Sequence, residues 1–193
     1  LALGRNDLNL VGHYVKKLYD FSDDGFYMRA GYGARLRHYS GLGTDYKIDG
    51  SDQERQNTEF LETDQFNYIE KAFFRDPFTR QAIITIGDPP KDQFEPNGTV
   101  KTTKDFPCTQ NLHFQRSGDQ LNLTVHMRSN DLLWGASAVN IFNFTFIQEY
   151  FASILGLQVG LYFHIANNLH YYENSEKIIK SLAQITEPDE PSF

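Results

Sequence analysis

The only cysteine of this chain, Cys108, follows a proline in Phe106-Pro107-Cys108-Thr109, and Arg128-Ser129-Asn130-Asp131 comes later in the same stretch. Between them lie two apolar segments, residues 111–115 and 120–127, joined by Ser117-Gly118-Asp119. That pattern predicts a hairpin. Pairing of its strands would bring a thiol, a guanidinium, a hydroxyl and a carboxylate to one cavity. An arginine beside a thiol favours the thiolate, which is the nucleophilic form. Arg128 and Ser129 together offer a fork of donors beside a hydroxyl, which suits a phosphate. A lone cysteine is more often a small buried hydrophobe. The polar cluster around Cys108 is what sets it apart.

The elements that must position these groups follow from periodicity. Apolar residues at Leu8, Val11, Tyr14, Val15 and Leu18 predict a helix over 6–21. Small residues around Tyr32, from Ala30 to Arg37, predict a turn, and the polar run 40–62 a surface excursion. Phe66, Ile69, Ala72 and Phe73 mark a second helix, ended by Asp76-Pro77. Residues 82–86 form a buried-strand pattern with Arg80 at its start, and a Pro-containing loop over 88–105 leads to Cys108. Trp134 to Ser137 reads as a turn before a long helix over 138–155. That helix is apolar on most sides and so is expected at the centre of the fold, with Asn140 capping it or binding something. Gly156 ends it, 157–165 forms another strand, and a last helix covers 175–184 before a frayed tail. His170-Tyr171-Tyr172 beside Asn167 and Asn168 makes a donor and acceptor cluster at a strand end.

Composition narrows the classes. The chain has 193 residues, 40% hydrophobic and 22% charged, which suits one domain over 1–193 with a sizeable core. A net charge of −7 with no basic run argues against a nucleic-acid surface. One cysteine excludes an internal disulfide and a CxxC metal site, and fits a reducing compartment. The other histidines lack ligand spacing and read as structural or surface residues, so no metal is expected. No membrane span is visible, and no Rossmann, P-loop or nucleophile-elbow motif occurs.

Taken in order, the motifs resemble those of the thymidylate synthase family. Arg75-Asp-Pro-Phe-Thr-Arg80 resembles its phosphate segment and Phe106-Pro-Cys-Thr109 its nucleophile. Arg128-Ser-Asn-Asp131 with Gly135 resembles its Arg-Ser-x-Asp-x-x-x-Gly stretch. Leu169-His-Tyr-Tyr172 resembles its sugar-binding His-x-Tyr, and Tyr32-Gly33 its Tyr-Gly. The resemblance implies an α+β fold, a mixed sheet packed on a central buried helix, in a cytoplasmic homodimer joined through its sheets. It implies one-carbon transfer from 5,10-methylenetetrahydrofolate to C5 of a pyrimidine nucleoside monophosphate (dUMP, dCMP or CMP). Cys108 would add to C6, Tyr32 would assist proton removal at C5, and Asp131 would hold the folate. Arg128 and Ser129 would bind the phosphate with Arg80 donated across the dimer; Asn140 would read the base; His170 and Tyr172 would bind the sugar.

The departures bear on the reaction. Gln81 stands where the family has a second arginine, and Thr109 where it has histidine. No tryptophan lies between Asn6 and Tyr32, where the synthases carry one that packs on the methylene intermediate. Thr109 and that absence favour a 5-hydroxymethyl product over a methyl one. Thymidylate formation is the alternative, and a homologue that holds nucleotide without turnover is a second. Gly135 to Asn140 is one residue longer than the family's gap, which makes Val139 the other candidate for the base-reading position. The family's upstream glutamate and N-terminal phosphate arginine would precede Leu1, and its closing segment would follow Phe193.

Overall fold

The computed structural model describes residues 3–49 and 62–185. Most of the expected excursion over 40–62, and the tail from Pro188, lie outside the described residues. The predicted hairpin forms: β2 (Thr109–Ser117) and β3 (Gln120–Met127) pair antiparallel from Ser117↔Gln120 to Thr109↔Met127. Its turn holds Gly118 at φ +61, in the left-handed region. Along these strands Leu112, Phe114, Leu121, Leu123 and Val125 are fully buried, while Asn111, His113, Asn122 and Thr124 alternate onto the other face. Edge strand β1 (Ile83–Thr85) pairs antiparallel with β2. On the other side β5 (Gln158–Ala166) pairs with β3 in parallel, which makes the sheet mixed, in the order β1-β2-β3-β5.

A parallel neighbour needs a crossover, and here the helix α5 (Asn140–Leu155) supplies it. Its Phe144, Ile147, Phe151 and Ala152 pack on the buried sheet face. Gly156, at φ +66, ends it. A second helix, α3 (Gln65–Arg75), adds Phe66, Ile69 and Phe73 to the same cluster and is capped by Asp64, which accepts from the N–H groups of Phe66 and Asn67. The described elements are thus α+β, with a mixed sheet packed on the long helix.

Four expectations need correction. The first helix runs only Leu8–Tyr14 (α1), followed by a 3-10 turn, Lys16–Asp20. Val15 leaves the helical region at φ −127 and ψ 78, and Gly12 packs so tightly on the Tyr19 ring that an added Cβ would lie 2.5 Å from it. The segment around Tyr32 is a helix, α2 (Tyr32–Arg37), rather than a turn. Gly33 is needed there because an added Cβ would meet the Arg5 carbonyl at 2.4 Å. The expected turn at 134–137 lies inside a π-helical segment, Leu132–Val139. Finally, α5 is buried on one face only: Phe142 and Phe146 are 69% and 55% exposed.

Candidate active site

The hairpin register decides what meets what. Thr109 and Met127 are the last paired residues, so Cys108 and Arg128 emerge side by side, and the Arg128 N–H donates to the Cys108 carbonyl. The Arg128 guanidinium folds back over the Cys108 segment. Its Nε donates to Pro107 O at 3.0 Å and its Nη2 to Phe106 O at 3.1 Å, with the Phe106 ring 5.0 Å away. That same Nη2 lies 3.7 Å from Cys108 Sγ. The expected help to the thiolate is present but outweighed. Burial pushes the Cys108 thiol up, Arg128 pulls it down, Asp105 pushes it up again, and the result lies above the ordinary value.

Tyr32 reaches the residue after the nucleophile. Its Oη accepts from Thr109 N at 3.2 Å and from Thr109 Oγ1 at 2.9 Å, and its ring stacks on Phe144 at 6.0 Å. Burial raises the phenol above its ordinary value, and the nearby Cys108 and Asp105 act in the same direction. A second clasp joins the two segments: Asp105 Oδ2 accepts from Ala30 N at 2.7 Å. Burial pushes the Asp105 carboxyl up to about 6, against that hydrogen bond and the charges of Arg35 and Arg29.

Beyond Arg128 the chain makes the short strand β4 (Asn130–Asp131), parallel to β6 (Leu169–His170). This pairing draws the His170 cluster to the hairpin end. Ser129 Oγ lies 3.4 Å from His170 Nδ1, which also lies 3.2 Å from Asn168 Oδ1, and the rings of His170 and Tyr172 stand edge to face at 5.2 Å. Asp131 is half-buried and starts the π-helical segment, its Oδ1 accepting from Trp134 N at 2.5 Å. Its other carboxylate oxygen has no hydrogen-bond partner among the described residues.

The π-helical segment accounts for the long gap between Gly135 and Asn140. The Asn140 N–H bonds back five residues to Gly135 O, so one extra residue is taken up in a wide turn. Asn140 then turns its amide inward, Nδ2 donating to Asn130 Oδ1 at 2.9 Å and lying 3.9 Å from Met127 Sδ. Met127 pairs with Thr109, so this amide stands beside the nucleophile's strand end. Gly135 makes room for it: an added Cβ would lie 1.8 Å from Asn130 Oδ1. Asn130 in turn bonds through Nδ2 to His164 Nε2 at 2.7 Å, and His164 Nδ1 lies 2.7 Å from Tyr162 Oη. Val139, the other candidate from spacing, is 37% exposed.

Cys108, Tyr32, Arg128, Ser129, Asp131, Asn140, His170 and Tyr172 therefore lie around one hairpin end, while Arg80 does not. Ile83 pairs with His113 and Ala82 O accepts from Phe114 N, so the chain before β1 runs toward Arg116, whose guanidinium lies over Phe78 at 5.0 Å. That end of β2 is roughly 23 Å from Thr109 at about 3.3 Å per residue. Arg80 is exposed and makes no hydrogen bond or ion pair among the described residues.

Sequence reasoning missed Asp105, Asn130, Tyr162 and His164, whose partners are all remote or of unremarkable type. It also missed a buried charge cluster behind α2. Arg35 forks onto Asp92 at 2.7 and 2.8 Å and donates to Ile86 O, while fully buried Lys91 (in the short helix α4, Pro89–Asp92) bonds the carbonyls of Leu42 and Thr44. Burial would raise Asp92, but Arg35 outweighs it and holds the carboxyl below its ordinary value. This cluster anchors α2, and with it Tyr32. Among the described residues no group of three His, Cys, Asp or Glu side chains is placed to hold a metal ion, and no helix is long and apolar enough to cross a membrane.

A nucleophile at a hairpin end, a mixed sheet and a half-buried crossover helix define the thymidylate synthase architecture. The structure superposes on thermostable thymidylate synthase A from Bacillus subtilis with a TM-score of 0.70, at 19% identity, covering 99% of this chain and 60% of that one. The thymidylate synthase family profile matches residues 8–193, and the chain belongs to that family. It is 35% identical over 172 residues to a deoxyuridylate hydroxymethyltransferase of Bacillus phage SP01, covering 89% of this chain and 41% of the relative. It is 30% identical to the protein of the same name from Pseudomonas phage M6, covering 94% and 44%. The thymidylate synthase of Streptococcus mutans is 28% identical over 75% of this chain and 52% of its own length. The chain spans less than half the length of the two hydroxymethyltransferases.

Proposed function

We propose that this chain forms the core of a cytoplasmic, homodimeric enzyme that transfers a one-carbon unit from 5,10-methylenetetrahydrofolate to C5 of a pyrimidine nucleoside monophosphate, with a 5-hydroxymethyl product. The observation that carries the reading is Cys108 at the open hairpin end, with the Arg128 guanidinium on its thiol and the Tyr32 phenol on the next residue. The folate supplies carbon at the formaldehyde oxidation level. Cys108 loses its proton and bonds to C6 of the pyrimidine, so that C5 gains the electron density to attack that carbon. Tyr32, held by Thr109, assists removal of the C5 proton. Loss of the C5 proton breaks the carbon–nitrogen bond and releases tetrahydrofolate, water adds to the exocyclic methylene left on C5, and the Cys108–C6 bond then breaks to return the thiolate; no net oxidation occurs.

The other roles follow the same geometry. Arg128 and Ser129 hold the phosphate, and His170 with Tyr172 the sugar hydroxyl. Asn140 rather than Val139 reads the base, because the π turn carries it inward. The free carboxylate oxygen of Asp131 suits an N–H of the pterin. Arg80 lies too far along the sheet to serve its own site, which supports its donation across a dimer. The relatives' names favour hydroxymethylation of a deoxyuridine nucleotide.

The test is a product assay of the full-length protein with methylenetetrahydrofolate and each of dUMP, dCMP and CMP, beside Cys108→Ala. A hydroxymethyl product with tetrahydrofolate, abolished in the variant, is expected. A methyl product with dihydrofolate would make the protein a synthase. Nucleotide binding without any product would make it a non-catalytic homologue.

A further inference from the structure

One end of the Asn140 amide is fixed by a chain of side chains that runs through Asn130 to His164 and Tyr162. Its Nδ2 donates to Asn130 Oδ1, so Asn130 must present Nδ2 to His164 Nε2, at 2.7 Å. An amide nitrogen only donates. His164 Nε2 is therefore bare, the imidazole proton sits on Nδ1, and Tyr162 Oη accepts it at 2.7 Å. Met127 Sδ, a weak acceptor 3.9 Å from Asn140 Nδ2, agrees with this polarity. The Asn140 Oδ1 has no hydrogen-bond partner among the described residues and so has its acceptor capacity unused.

We propose that His164, acting through Asn130, is the positioning residue that makes Asn140 present an acceptor to the base, so that the site selects uracil over cytosine. This rests on the nucleotide-binding reading above. Uracil carries N3–H and can donate to Asn140 Oδ1. Cytosine N3 is itself an acceptor and meets that oxygen lone pair to lone pair. The polarity is also switchable. A doubly protonated imidazole must donate from Nε2, which forces Asn130 to turn its oxygen toward His164 and its nitrogen toward Asn140. Asn140 must then turn in the same way, and its Nδ2, a donor, would face the base.

Burial holds His164 in its neutral form by lowering its pKa, with no charged group contributing. Around it stand Tyr162 on its own strand, whose proton burial retains, the neutral Asn130 on β4 and the paired Val125 on β3. The switch therefore depends on one proton.

The experiment is equilibrium binding of dUMP and dCMP to the full-length protein and to His164→Gln, from about pH 8 to about pH 5.5, with the ratio of the two constants as the readout. Both nucleotides carry the same phosphate, so its titration cancels in the ratio. The wild type is expected to prefer dUMP by at least about tenfold at the upper pH, with the preference shrinking as the pH falls. Glutamine can adopt either polarity, so in the variant the ratio should drop to within about threefold of unity and lose its pH dependence. Nitrogen-15 shifts of the His164 ring in the free protein should show Nδ1 protonated and Nε2 bare. An Nε2–H tautomer overturns the inference whatever binds. Binding of both nucleotides with an unchanged ratio and slope in the variant overturns it alone, and a wild type that binds neither overturns the substrate reading and this inference together.

Discussion

Asp105 and Arg128 act in opposite directions on the same thiol. Arg128 favours the Cys108 thiolate and Asp105 disfavours it, while Asp105 also clasps Ala30 and so holds the segment that carries Tyr32. The carboxyl lies at about 6 in the fold against an ordinary 3.8. A raised carboxyl binds its proton more tightly folded than unfolded. Its cost to stability is therefore absent below the lower value, grows between the two, and is complete above the upper. The cost amounts to at most about 3 kcal/mol. Asp105→Asn keeps an oxygen for Ala30 and removes the charge. Urea unfolding should show the variant gaining stability over the wild type at about pH 8 and none at about pH 4, and iodoacetamide should titrate Cys108 at a lower pH. No gain at the higher pH, with an unmoved thiol, would show that the charge does not matter. That Cys108, Arg128, Ser129, His170 and Tyr172 gather at one hairpin end was legible in the sequence, because each lies in a short ordered motif. Asp105 and His164 were not, because their significance lies in contacts 75 and 34 residues away.

At the scale of elements, hydrophobic alternation and glycine turns found the sheet and its hairpin, since strand pairing there is local. The same reasoning overran on α1, where Gly12 folds a 3-10 turn back onto the helix, and missed the π-helical segment entirely. A π turn and a loop look alike in composition; only the five-residue hydrogen bond from Asn140 to Gly135 distinguishes them. Gly135 is the residue that lets this element coexist with the amide pair. Gly135→Ala would drive a methyl into Asn130 Oδ1, so the Asn130–Asn140 bond should break. The expected loss is about 1–3 kcal/mol, visible as a drop of several degrees in Tm, with weakened nucleotide binding. An unchanged Tm would mean that the helix shifts without strain.

For the whole molecule, β5 turns Leu161, Phe163 and Ile165, 62%, 46% and 40% exposed, to the sheet face away from α5, and Ile83, 42% exposed, faces the same way on the opposite edge strand. Periodicity identified β5 but not which of its faces lacks a cover, because an alternating strand reads the same in either sense. An exposed apolar row of this kind on an edge strand fits the proposed sheet-to-sheet dimer. Phe163→Glu should give a monomer by light scattering and raise the KM for nucleotide, as Arg80→Ala should. Mixed dimers of Cys108→Ala and Arg80→Ala chains, carrying one intact site each, should recover activity at low nucleotide concentration, where neither parent has it. A dimeric, fully active Phe163→Glu protein would remove this face from the interface.

Arg80, at the far end of the sheet from the thiol that it is proposed to serve, ties catalysis to mass action. With each site completed by another chain's arginine, specific activity per chain becomes a function of protein concentration. It should hold steady while dimers persist and fall away on dilution, and bound nucleotide, by bridging two chains, should oppose that fall.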